Sequence, residues 1–401
     1  MALSTHNKII IIAAERFPKG GATANRILSI AKGLKFVGEE VEVICLRPAD
    51  RVFDSIINNP SGEYQGINYS YIHKTTNWPN NKFCKLWFLI SMYFYIVPSL
   101  YKIIIEDRVQ TILITTDDFF LNIQLKLFSI FFHGRIFLVL DEYPPFMRHG
   151  NYLSKLFGKI TNNFRYRFCD GMVLMTNVLI NYYKGVTGKR VKFFKLPMSV
   201  EVDRFQNVEP IFKSQEHYLA YCGFEPEIDG LDLLFKAFAL IHIDEPNLKL
   251  LIIGDSPDGK FRKYKQLASD LGIVEKVNFA GIIDRDKVPN YLLSASVLIL
   301  PRPLSTSANG GFPTKIGEYL ATKKPVLVTN TGEIGIYLKD KVSCYLIESG
   351  DIEAISNSIK YIFNNYDEAL KVGEMGFDIA CSYFDYKVQA KELLNFLKKG
   401  E

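Results

Sequence analysis

The segment Pro301–Leu320, PRPLSTSANGGFPTKIGEYL, follows the apolar run VLIL and gathers residue types suited to a phosphorylated ligand. Small and polar residues give a flexible loop, and Pro313 suits a first helical position. The N–H groups of Thr314 and Lys315 would then lack helical partners, and a helix start of that kind attracts phosphate. Lys315 adds a full positive charge. Glu318, one turn further on, could accept two hydrogen bonds from a ribose diol. The competing reading is a capped surface helix with a solvated glutamate.

Two other places could carry chemistry. Pro18-Lys19-Gly20-Gly21 follows the first apolar run, and glycines there let a ligand approach the backbone closely. The pattern is neither G-x-G-x-x-G nor a P-loop with its lysine, so a plain strand-to-helix turn stays open. Asp141-Glu142 in LVLDEYPPF follows another apolar run. Carboxylates at the carboxyl end of such a strand face the ligand crevice of an open α/β sheet; a loop acid paired with an arginine is the alternative. Asp284 and Asp286 have D-x-D spacing, but GIIDRDKVPNYLL reads as a helix start with Asp286 as N-cap. Asp117-Asp118 reads as a cap as well. The six histidines form no ligand pattern, and no G-x-S-x-G is present. No metal site is expected.

Such residues need a scaffold, and the chain supplies one twice over. With 401 residues, two domains are expected. A hydrophobic share of 48% against 23% charged residues excludes a disordered chain. Strands are predicted at 8–14, 41–46, 111–115, 136–140, 171–175 and 192–196, and again at 218–223, 248–253, 276–280, 297–300, 325–328 and 344–347, with helical patterns between them. Their continuous apolar character predicts parallel strands covered on both faces. The polar stretch 197–215 is the predicted boundary. Domains are expected at 1–198 and 199–384. Ligands of such sheets bind at the carboxyl ends of the strands.

Charge is unevenly spread. Residues 1–200 hold 25 basic and 14 acidic side chains, a net of +11, while 201–401 carry −6. A basic half suits an anionic substrate or membrane surface. Nucleic acid is the weaker partner, because no helix-turn-helix, RNP or zinc-finger pattern occurs. The six cysteines have no C-x-x-C spacing, which predicts reduced core thiols in the cytoplasm. The apolar core of the first residues is too short for a signal peptide.

Lys82–Ile105, KFCKLWFLISMYFYIVPSLYKIII, is the most unusual stretch. Its uncharged run Leu86–Tyr101 falls short of the ~20 apolar residues a spanning helix needs. A core helix and an interfacial helix are both open. Trp87, Phe88, Tyr93, Tyr95 and Tyr101 suit the headgroup level, with Lys82, Lys85 and Lys102 beside them. Arg148, Lys155, Lys159, Arg165 and Arg167 form a second basic-aromatic stretch that anionic headgroups would favour.

The chain resembles glycosyltransferase family 4. KIIIIAAERFPKGGATANRILSIAKGL places a Gly pair after strand one, as family members do. KLPMSVEVDRF resembles the family's domain-linking stretch. LAYCGFEPEIDGLDLLFKAFALI, LKLLIIGDSP, VNFAGII and GFPTKIGEYLATKKPVLVT follow the family order, the last resembling the end of its E-x7-E motif. The resemblance implies an α/β GT-B fold: two facing Rossmann-like, doubly wound parallel-sheet domains with an interdomain cleft, and a C-terminal helix, 385–401, that crosses back onto the first domain. It implies a retaining glycosyltransferase moving a sugar from a nucleotide-sugar donor to a glycan or lipid-linked acceptor in cell-envelope polysaccharide biosynthesis (capsule, O-antigen or exopolysaccharide), without a metal or other cofactor.

Carried over by position, Lys315, Glu318 and Glu142 would be the catalytic residues. Glu318 would hold the ribose, and the main chain around Ile282 and Ile283 would meet the base. Gly310, Gly311, Phe312, Thr314, Lys315, Gly20 and Gly21 would line the diphosphate and sugar. The first Glu of the motif falls on Gly310, the family's Arg on Phe224 and its Lys on Asp229. Two cations that grip the diphosphate are therefore missing, and Lys315 and Arg302 are expected to replace them. The same departures leave a non-catalytic glycan-binding or partner-binding protein open, and an epimerase behind it.

Overall fold

Runs of Ile, Leu and Val have no polar face to offer water, so they form strands buried on both sides. In the computed structural model, which describes residues 8–14, 16–48, 59–107, 109–144, 147, 152–212, 217–255 and 259–399, these strands build two separate sheets. The chain divides into Met1–Ser199 with Tyr386–Glu401, and Val200–Asp385.

The first unit runs β1 (Lys8–Ala13), α1 (Ala22–Phe36), β2 (Glu40–Cys45), β3 (Ser61–Tyr64), β4 (Ile67–Tyr71), α2 (Lys82–Asp107), β5 (Val109–Ile114), α3 (Phe119–Phe132), β6 (Arg135–Leu140), α4 (Tyr152–Arg165), β7 (Gly171–Leu174), α5 (Asn177–Val186) and β8 (Lys192–Lys195). The sheet order is β3-β4-β2-β1-β5-β6-β7-β8, parallel except for the β3–β4 pair. That hairpin is absent from the sequence reading. Its turn is Gln65-Gly66, both at positive φ, where Gln stands in place of the usual Asn or Asp. The polar SGEY of β3 also carries no strand pattern. The crossovers α2, α3, α4 and α5 all lead toward β8, so right-handed connection puts them on one face of the sheet. α2 packs beside α3, and α3 beside α4.

The second unit runs β9 (His217–Cys222), α6 (Leu231–Ile241), β10 (Leu248–Ile253), α7 (Arg262–Asp270), β11 (Val277–Gly281), α8 (Val288–Leu293), β12 (Val297–Leu300), α9 (Thr306–Gly310), α10 (Thr314–Leu320), β13 (Val326–Thr329), α11 (Ile334–Tyr337), β14 (Tyr345–Ile347), α12 (Ile352–Asn364) and α13 (Tyr366–Ile379). Its sheet, β11-β10-β9-β12-β13-β14, is wholly parallel. The order reverses direction between β9 and β12. That switch point opens a crevice at the carboxyl edge.

The last helix, α14 (Tyr386–Lys398), belongs to the first unit and packs along α1. Leu393 and Leu397 join Ile9, Ile11, Val43, Leu28 and Leu34 in its core. Full burial of each such leucine is worth about 1.5–3 kcal/mol. Gln389 on α14 donates to the Met198 carbonyl (2.8 Å), and Lys398 meets buried Glu39 (2.6 Å).

Candidate active site

In the second unit the carboxyl ends of β9, β10, β11 and β12 carry the candidate residues. β9 ends at Cys222, and Gly223 continues by donating its N–H to the Ile253 carbonyl at the end of β10 (2.9 Å). A Cβ on Gly223 would lie 2.4 Å from the Tyr221 hydroxyl oxygen and 2.6 Å from Lys315 Cε. Only glycine leaves room there for the lysine. Gly230, the residue before α6, has φ +75°, and a Cβ would stand 2.2 Å from the Pro301 carbonyl oxygen. The loop after β9 thus closes directly onto the loop after β12.

Lys315 and Asp229 meet across this junction. Asp229 is buried, at 2% exposure. Its Oδ2 pairs with Lys315 Nζ and accepts the Tyr221 hydroxyl (2.7 Å). Burial, reinforced by the Asp229 charge, pushes the Tyr221 hydroxyl up, so it remains a donor. The Lys315 ammonium also lies 5.8 Å from the Tyr221 ring centroid. Position 229, where the resemblance led one to expect lysine, therefore holds an acid whose partner is a lysine from α10.

Glu318 is engaged as well. Arg204 Nη1 pairs with its Oε1 (2.8 Å), and Arg204 Nη2 donates to the Arg285 carbonyl. Arg285 in turn pairs with the buried Glu201. Arg204 and Arg285 escaped the sequence reading. Arg204 lies in the 3-10 turn Val202–Phe205, within the stretch that resembles a domain link, and Arg285 lies in the turn Arg285–Lys287 after β11. The available signal was an acid beside each arginine, Asp203 before Arg204 and Asp284 and Asp286 around Arg285.

Cys222 lies among these groups. Its thiol is pushed up to about 12, first by burial and then by Glu318, while Lys315 and Arg204 pull it down. A thiol held there is protonated at neutral pH and makes a poor nucleophile. Tyr319, next to Glu318, anchors the strand end by accepting the Cys222 N–H (2.8 Å).

The remaining candidates fall into distinct settings. Pro313 is the N-cap and Thr314 the first helical residue, a shift of one from the sequence reading. α10 has seven residues, less than two turns, so the Lys315 charge matters more than the helix dipole. Phe312 is buried against Tyr337 and Phe384, leaving only its main chain for a ligand. Gly310 is buried and Gly311 partly so. Arg302 follows β12, its Nε buried without a hydrogen-bond partner among the described residues. Ile282 and Ile283 follow β11, Ile282 half exposed. Asp286 is not the expected N-cap: it sits inside the 3-10 turn, and Lys287 precedes α8.

In the first unit, Gly21 is the N-cap of α1, with open space where a Cβ would stand, and Gly20 packs on Ala24. Asp141 pairs with buried Arg26 (2.6 Å), whose Nη1 and Nη2 donate to the Pro197 and Leu196 carbonyls (both 2.7 Å). Burial pushes the Asp141 carboxyl up and Arg26 opposes it. Asp141 is thus a structural anchor. Glu142 beside it is exposed, its carbonyl accepting the Tyr183 hydroxyl (3.2 Å). Asp118 caps α3 through the Leu121 N–H (3.0 Å). Asp117 holds Arg165, so that arginine is not part of a free basic surface. Arg148 and the Lys159 side chain lie outside the described residues.

Residues 202–378 match the family described as glycosyl transferases group 1. The match covers nearly all of the second unit, Lys315, Glu318 and their partners Asp229 and Arg204 included. A GDP-mannose-dependent alpha-(1-6)-phosphatidylinositol monomannoside mannosyltransferase of Mycobacterium tuberculosis (strain CDC 1551 / Oshkosh) is 21% identical over 242 residues, 57% of this chain and 62% of the relative. The aligned part is thus under two thirds of that relative's own length. Among solved structures, sucrose-phosphate synthase from Thermosynechococcus elongatus superposes with TM-score 0.75 at 15% identity, over 98% of this chain and 99% of that one. Anabaena Alr3699/HepE in complex with UDP and glucose gives TM-score 0.72 at 15% identity, with the same coverage. The fold is that of the GT-B glycosyltransferases, and the comparisons support a transferase.

Proposed function

We propose that the protein is a retaining glycosyltransferase, of the family 4 type, that uses a nucleotide-sugar donor. The observation that carries this reading is the placement of Lys315 and Glu318 at the switch point of the second sheet, each held by a residue from a distant segment. Glu318, with one oxygen on Arg204, keeps a carboxylate for the ribose hydroxyls. Lys315 and Arg302 supply the positive charge that a departing diphosphate requires, so no metal is assigned to this task. Fixed cations of this kind lower the barrier because they are oriented before the charge develops. The main chain at Ile282 and Ile283 is assigned to the base, that of Gly310, Gly311, Phe312 and Thr314 to the sugar and phosphates, and that of Gly20 and Gly21 to the diphosphate.

In the step itself, the acceptor oxygen bonds to the anomeric carbon on the face from which the diphosphate leaves. The carbon–oxygen bond to phosphate breaks, and the acceptor proton passes to a phosphate oxygen. No covalent enzyme intermediate is assigned to this route. Glu142, exposed on the first unit, is assigned to hydroxyls of the transferred sugar. The basic first unit favours a lipid-linked or glycan acceptor of the cell envelope, met at the cytoplasmic face of the membrane.

A thermal-shift screen of the full chain against UDP, GDP, ADP, CMP and their sugars tests the reading. A ligand at 100 times its dissociation constant stabilises by about 2.7 kcal/mol. A metal-independent shift with one nucleotide is expected. No shift with any of them, in folded protein, would overturn the donor assignment.

A further inference from the structure

We infer that α2, α3 and α4 together form a surface that lies in the headgroup region of an anionic lipid bilayer, with α2 parallel to the membrane. The inference rests on the membrane part of the proposed function and specifies its surface; it is independent of the donor chemistry.

α2 is apolar on two opposite sides. Met92, Ile96 and Leu100, one turn apart, are buried against the first unit. Phe83, Trp87, Ile90, Phe94 and Tyr101 form a second stripe at spacings of four, three, four and seven residues, and they are 43–82% exposed. The stretch Lys82–Ile104 has the length and apolar character of a membrane span, yet a seam of it is packed into the fold. A helix anchored along one side cannot cross a bilayer; it can only lie on one.

Of the α4 residues whose side chains are described, Gly158 and Thr161 are buried and Arg165 is half-buried, held by Asp117. The outward side of α4 carries Leu153, Leu156, Ile160 and Phe164 at helical spacing, 45–72% exposed. α3, between the two, exposes Phe120, Leu127, Ile130 and Phe131, the last at 84%. Three adjacent helices on one sheet face thus present aromatic and aliphatic side chains outward. A contiguous apolar surface of this extent marks a binding face.

Charge selects the occupant. The three helices contain seven basic residues and two acidic ones, and both acids are the last two residues of α2. Lys82, Lys85, Lys102 and Lys155 are exposed. Apolar and aromatic side chains interleaved with exposed lysines suit the interface of an anionic membrane.

The test uses the full chain carrying Trp78→Phe, which leaves Trp87 as the only tryptophan, and vesicles of phosphatidylcholine with or without 30% phosphatidylglycerol. Co-sedimentation with the anionic vesicles, a blue shift of Trp87 emission and loss of binding in high salt are expected. Leu153→Gln with Ile160→Gln, both at exposed positions, should reduce partitioning at least tenfold while nucleotide thermal shifts stay the same. Vesicle binding that ignores these two substitutions, or an unshifted Trp87, would overturn the assignment. So would a dimer in sedimentation velocity that Leu153→Gln with Ile160→Gln dissolves, in a protein that ignores vesicles; the face would then belong to a second copy of this chain.

Discussion

Replacing Lys315 separates its structural from its chemical part. Lys315→Met leaves the carboxylate of Asp229, 2% exposed, with the Tyr221 hydroxyl as its one remaining side-chain partner among the described residues. Stranding one member of a buried pair costs about 3–5 kcal/mol. The Lys315 side chain keeps 21% of its surface in water, so the lower end, about 3 kcal/mol, applies. In a unit of this size that lowers the unfolding transition by roughly 6–12 °C. Asp229→Asn combined with Lys315→Met removes both charges and retains an oxygen for Tyr221. Stability should return to within about 1 kcal/mol of the parent, since uncharged replacements of a buried pair are often neutral. Activity should not return. Loss of a charge-assisted contact to the diphosphate, worth about 1.5–3 kcal/mol, lowers kcat/KM by roughly 10–150-fold in both variants. Calorimetry and transfer kinetics on the parent, both single variants and the double variant complete the cycle. A double variant with parental kcat/KM would refute the role of Lys315 toward the donor. A double variant as unstable as Lys315→Met would refute the pairing as the source of the loss.

Three further outcomes are expected. Glu318→Gln should weaken nucleotide affinity at least tenfold, read by titration calorimetry, while costing about 1 kcal/mol or less of stability, because the carboxylate is 26% exposed and its pair with Arg204 is partly screened. Arg204→Met should mimic part of that affinity loss, since it frees Glu318 from its set position; unchanged affinity would show that the pair does not orient the glutamate. Iodoacetamide at pH 8 should label exposed Cys84 well before Cys222, because a thiol pushed up to about 12 is about one part in ten thousand thiolate there; equal rates by mass spectrometry would refute the burial argument.

What the sequence conveyed followed from physical range. Both parallel sheets were legible because runs such as KIIIIA and LKLLII carry their burial within six residues. Asp118 as a cap was legible because its partner, the Leu121 N–H, is three residues away. The β3–β4 hairpin was hidden because Gln65 occupies a left-handed turn position that usually announces itself as Asn or Asp. The outward apolar side of α4 was hidden for a different reason. Amphipathic spacing gives the angle between two faces of a helix, and only the fold says which one looks inward.

The charge pairs lie beyond any local pattern. Asp229 and Lys315 are 86 residues apart, and Arg204 and Glu318 are 114 apart. Read along the chain, Asp229 is a lost cation, and its acidity argues against diphosphate binding. In the fold the ammonium of Lys315 stands beside that same position, carried by α10 and held by the acid. Position 229 therefore keeps a positive group next to it, with lysine and tether exchanged between the loop after β9 and α10. The tether restricts a flexible side chain before any ligand arrives, and a restricted cation loses less entropy on binding. An acid at 229 is thus compatible with a charged ligand in this crevice, on the condition that Lys315 retains donors directed outward from Asp229. The ammonium has three, and one bond to Oδ2 leaves two.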